Sequence, residues 1–96
     1  MEVKYHPLVK RDITEALKYY HGISPRLADE FEAEVRSAVE KVAQNPIRFH
    51  LIEKGFRRAN LPRFPYHLLY EVHSESLRVM LVRHNKRHPD YGMRRN

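Results

Sequence analysis

The chain has 96 residues, 42% hydrophobic and 31% charged, a balance that suits one soluble globular domain over residues 1–96 with one modest core and excludes a disordered or fibrous polypeptide. It has no cysteine, which excludes disulfides and thiolate zinc sites, and no apolar run of signal-peptide or membrane-span length; the expectation is a cytoplasmic protein without membrane insertion. A net charge of +6 and a pI near 9.8 favour an acidic or polyanionic partner, and charge alone does not say which.

Glu2 to His6 alternates, with Val3 and Tyr5 on one side, and predicts a short half-buried strand. Pro7 stops it and is preset for a first helical turn. Val9, Ile13, Ala16, Leu17 and Tyr20 then recur at helical spacing, with Gly22 as the expected C-terminal stop. Ser24-Pro25 restarts the helix, the serine as cap and the proline in the first turn. Leu27, Phe31, Val35, Ala38, Val39 and Val42 form one apolar stripe, and Asp29, Glu30, Glu32, Glu34, Arg36, Glu40 and Lys41 are read as its solvated outer face. Asn45-Pro46 ends the second helix, because a residue before proline avoids helical angles. The short link makes the pair an antiparallel hairpin.

After a loop at Ile47 to Lys54, Phe56 to Leu61 is a strand that Pro62 and Pro65 limit to an edge or a short piece. Tyr66 to His73 is the clearest strand, with Tyr66, Leu68, Tyr70 and Val72 on one face. Leu77 to His84 follows a polar turn at Ser74 to Ser76 and is apolar on both faces at Val79, Met80, Leu81 and Val82, which argues for a central position. The tail from Asn85 to Asn96 has little to bury and is expected to be largely mobile. The sum is an α+β fold, an N-terminal strand and a helical hairpin packed on one face of a mostly antiparallel β-sheet. With Tyr66, Leu68, Tyr70, Val72, Leu77, Val79 and Leu81 turned to the helices, His67, Arg78 and His84 share the open face, joined by Arg58 and Asn60. That face is expected to be a cationic working surface.

The hairpin PLVKRDITEALKYYHGISPRLADEFEAEVRSAVEKVAQNP, then RRANLPRFPYHLLYEV and LRVMLVRHNKRHPD, resemble the RelE/ParE superfamily of toxins from bacterial type II toxin-antitoxin modules. RFPY-x-L-x-Y at Arg63 to Tyr70 and H-x-x-R at His84 and Arg87 are closer to the ParE-like branch. The resemblance covers residues 2 to about 91. It implies a toxin held by a cognate antitoxin, with operator DNA bound only through the toxin-antitoxin complex, and no cofactor. ParE-like members block DNA gyrase, and RelE-like members cut mRNA on the ribosome. The positions corresponding to the cutting members' site residues are Arg58 and Asn60, His67, and Arg87 with Tyr91. An inactive member kept as a binding module is a further possibility.

Metal-free RNA cleavage needs a base, an acid and cations on the phosphorane. His67 or His84 supplies the first two, Arg58 and Arg87 the third, and Tyr91 a stacking ring, if the nuclease reading holds. Under the binding reading Arg57, Arg58, Arg63, Arg78, Arg83, Lys86, Arg87 and His88 form the surface for target or antitoxin. Tyr66 and Tyr70 share parity with Leu68 and read as core. His84 and His88 stand four apart, but at a strand end and without a third ligand, so no metal site is expected.

Overall fold

The computed structural model describes residues 1–96. Its elements are β1 (Glu2–Tyr5), α1 (Val9–Ile23), α2 (Pro25–Gln44), β2 (His50–Leu51), a 3-10 turn at Glu53–Gly55, β3 (Arg57–Asn60), β4 (Tyr66–Val72) and β5 (Ser76–His84). The five strands form one sheet in the order β1-β5-β4-β3-β2, antiparallel except where β1 runs parallel to β5. The fold is therefore the expected α+β arrangement, and β5 is internal as its two apolar faces required.

The helical hairpin turns at Ser24, whose extended backbone (φ −162°, ψ 143°) ends α1 and whose Oγ accepts the Leu27 N–H at 3.0 Å to cap α2. Gly22 is not the stop; α1 runs through it to Ile23. At the other end α1 begins at Val9, after a turn containing Pro7 in which His6 Nδ1 accepts the Leu8 N–H at 3.1 Å. β3 is not an edge, because the two residues of β2 pair outside it and Arg57 donates to the carbonyls of Ile47 and Phe49 to hold that loop down. In β1, Val3 is half-buried while Tyr5 is largely exposed.

The main core lies between hairpin and sheet, where Phe31, Val42, Leu68, Tyr70, Leu77 and Val79 are almost wholly buried. Each such side chain contributes about 1.5–3 kcal/mol relative to exposure. Tyr20, Phe31, Phe64 and Tyr66 pack edge-on or tilted within it, with ring centroids 5.0–6.1 Å apart.

The opposite face departs from expectation because of one extra residue. Leu69 pairs with Leu81 and Tyr70 with Val79, so Met80 faces no partner and bulges. A one-residue insertion reverses every later side chain. Leu81 thus leaves the helix side, Val82 takes its place there, and His84 lies on the helix side rather than on the open face. Phe56, Leu69, Met80, Leu81 and Met93 make a second, small core on the face away from the helices, with Ile52 against it. Met93 anchors the C-terminal segment over that face, so the tail is packed and not the free end expected for residues 85–96. The cationic platform shrinks accordingly to a strip of Arg58, Asn60, Glu71, His73 and Arg78.

On the side of β1, no strand borders β5 beyond Val79. Its edge is closed instead by side chains: the Asp12 carboxylate accepts the Val82 N–H at 3.0 Å, and Arg95 donates to the Met80 carbonyl at 2.9 Å. An unpaired backbone edge is a liability, and here an ion pair does the work of a neighbouring strand.

Candidate functional site

The candidate residues fall into two groups on opposite sides of the sheet. On the face away from the helices, His67 is 1% exposed and Arg83 6%. Arg83 Nε donates to His67 Nε2 at 3.1 Å, and its Nη1 donates to the carbonyls of Pro89 and Tyr91 at 2.7 and 3.0 Å. His67 Nδ1 meets Asn85 Oδ1 at 2.7 Å. Because Nε2 must accept from a guanidinium, the proton sits on Nδ1 and the ring is neutral. Burial pushes its pKa down to about 4 against the pull of the Asn85 hydrogen bond, with Arg58, Arg83 and His84 lowering it further. A base poised for catalysis titrates near 7. His67 is thus a poor proton carrier at neutral pH, and Arg83 is an internal strut rather than part of a docking surface. Arg58 stays at the rim, donating to Asn60 Oδ1 at 2.9 Å and to Asn85 at 3.5 Å.

Several other cations are also committed. Arg63 donates Nε to Glu34 at 3.0 Å while its own backbone N–H reaches the same carboxylate at 2.7 Å. Glu34 is buried between Phe31 and Val35, not on the outer face of α2. Arg78 donates to the Asn96 carbonyl at 2.8 Å. Lys86 and His88 are exposed.

The second group lies where α1, the ends of β4 and β5, and the C-terminal turn converge. A cavity of about 230 Å³ there is lined by Glu15, Tyr19, Tyr66, His84, Arg87 and Tyr91, with Asp12 and Arg83 also on its wall. Tyr66 and His84 are cross-strand neighbours with ring centroids 5.0 Å apart. His84 Nδ1 accepts the Lys86 N–H at 3.0 Å, which leaves Nε2–H as the donor of the neutral ring. The Arg87 guanidinium rests 4.1 Å from the Tyr91 ring centroid. Desolvation raises the pKa of Tyr66, so its hydroxyl keeps its proton.

Tyr91 is fixed by its hydroxyl, which donates to Asp12 Oδ1 at 3.0 Å. Asp12 in turn receives Arg95 through two bonds, Nη1 to Oδ2 at 2.7 Å and Nη2 to Oδ1 at 2.8 Å. Asp12 and Arg95 were not singled out from the sequence. The signal was there in part: Asp12 stands between Val9 and Ala16 on the apolar stripe of α1, where a carboxylate needs a partner.

The fold matches a known structure. A chain of the chromosomal ParDE toxin-antitoxin system from P. aeruginosa superposes with a TM-score of 0.78 at 18% identity, covering 88% of this chain and 95% of that one. The fold class so defined is a helical hairpin on a mostly antiparallel sheet. Residues 3–89 match the family described as the ParE toxin of the type II toxin-antitoxin system parDE, and the chain belongs to that family. Toxin ParE2 of Mycobacterium tuberculosis, from strains CDC 1551 and H37Rv, is 27% identical over 89 residues, spanning 92% of this chain and 85% of its own length.

Proposed function

We propose that this toxin acts by binding, inhibits DNA gyrase without a reaction of its own, and is neutralised by a cognate antitoxin that brings it to operator DNA. The observation that carries this reading is the separation of the would-be nuclease residues. His67 is sealed and neutral under the C-terminal segment, while His84, Arg87 and Tyr91 lie across the sheet from it. Base, acid and phosphate cations would have to meet within hydrogen-bond reach of one nucleotide; His84, Arg87 and Tyr91 border one cavity, but His67 and Arg58 do not line it. Family membership and the likeness to Toxin ParE2 support the toxin role.

Induced expression in a bacterium tests it. The expected result is filamentation and loss of negative supercoiling with intact transcripts, and purified toxin should inhibit gyrase in a supercoiling assay. Rapid codon-periodic mRNA cuts would replace this reading with a ribosome-dependent endoribonuclease. Absence of any growth effect would leave an inactive binding module.

A further inference from the structure

We propose that the cavity bordered by Tyr19, Tyr66, His84, Arg87 and Tyr91 is the anchor site for one carboxylate side chain of the antitoxin; this rests on the toxin-antitoxin reading above. At about 230 Å³ it falls below the roughly 300 Å³ at which small-molecule pockets begin. That size suits one or two side chains. Its wall combines tyrosines with an arginine, the residue types that dominate the energetics of protein interfaces.

Charge selects the ligand. Asp12 on the wall is neutralised by Arg95, and Glu15 sits beside Arg11 at 3.9 Å on the exposed side of α1. Arg83 is spent on His67 and two carbonyls. Of the two arginines on the wall, Arg87 is the one that makes no side-chain hydrogen bond within the chain; its guanidinium rests on the Tyr91 ring. Its fork of donors, unspent within the chain at the border of the cavity, suits a planar, bidentate acceptor. His84 and Tyr66 line the same cavity and add an imidazole N–H and a hydroxyl as further donors. Aromatic walls displace water from the approaching group and strengthen the pair. An acidic side chain followed by an apolar one fits this set, the carboxylate on Arg87 and the apolar neighbour against Tyr19.

The test uses this toxin chain and its cognate antitoxin, with affinity measured by calorimetry. Arg87→Ala should weaken binding at least about tenfold, the size of one good charge-assisted contact, with an unchanged melting temperature. Arg87→Lys should recover only part, since an ammonium lacks the fork. Arg94→Ala, an exposed cation on the same segment, should bind as wild type. Changing the antitoxin's acidic residues one at a time to Asn or Gln should reveal one whose loss is non-additive with Arg87→Ala. Equal affinity of Arg87→Ala and wild type overturns the proposal while leaving the module intact. Failure of the wild-type toxin to bind that antitoxin overturns the functional reading and this site with it. Competition by single-stranded oligonucleotide at Arg87, without coupling to any antitoxin carboxylate, overturns the proposal in favour of a phosphate site.

Discussion

Asp12 and Arg95 are 83 residues apart in the chain and meet as a buried bidentate pair, their side chains 1% and 6% exposed. Two further donors, the Val82 N–H and the Tyr91 hydroxyl, fill the remaining acceptor positions of the carboxylate. Removing one partner of such a pair strands a charge, which costs about 3–5 kcal/mol. Arg95→Ala should therefore lower unfolding free energy by about that amount in urea denaturation. A loss under 1 kcal/mol would mean that the segment is not held by this contact.

Protonation of His67 makes stability depend on pH. Its folded pKa of about 4 lies below the ordinary histidine value of 6.5, so the unfolded chain binds the proton more readily. Stability from this group is complete above about pH 6.5 and falls by about 1.4 kcal/mol per pH unit toward pH 4. His6 is also lowered by burial and by Arg78 and Arg95, and acts in the same direction. In His67→Gln the slope between pH 6.5 and 4 should flatten, as followed by thermal midpoint across that range. An identical slope would place the titrating group elsewhere.

The bulge at Met80 predicts that both sheet faces are load-carrying. Leu68→Ala on the helix side and Leu81→Ala on the other should each cost about 2–5 kcal/mol, because both side chains are fully enclosed. Chemical denaturation compares them directly. A neutral Leu81→Ala would restore the open cationic platform that periodicity alone suggests.

Gly92 has φ +78°, and an added Cβ would lie 2.6 Å from Leu81 Cδ2. Left-handed backbone costs a side-chain-bearing residue about 1–2 kcal/mol, and the close approach adds to it by pushing the C-terminal segment off the second core. Gly92→Ala should lower the melting temperature and speed hydrogen exchange at Met93, whose N–H bonds to the Asp90 carbonyl. Exchange unchanged at Met93 would refute the packed tail.

Helix, hairpin and strand positions were legible because they rest on local patterns: the Ser24-Pro25 cap, the stripe from Leu27 to Val42, the alternation of Tyr66 to Val72. The site was legible only up to residue types. Whether His84 shares a face with His67 depends on a single unpaired residue in β5, and nothing in Val79-Met80-Leu81-Val82 marks which one bulges. The role of the tail escaped for a different reason. Arg94 and Arg95 look like equivalent end-of-chain cations, and only the three-dimensional position of Asp12 separates a free charge from a buried one. Glu34 is the same case, hidden by a helix face that reads as solvated until Arg63 is placed against it.

The parallel pairing of β1 with β5 joins Glu2–Tyr5 to Ser76–Val79. During synthesis the opening strand emerges long before its hydrogen-bonding partner exists. Its neighbour helix likewise carries a lone carboxylate until position 95 has been added. Loops this long are slow to close, so the nascent chain stays unfinished through most of its translation. A chain interrupted before position 76 has no partner for β1, and one interrupted before position 95 leaves the Asp12 carboxylate without its guanidinium.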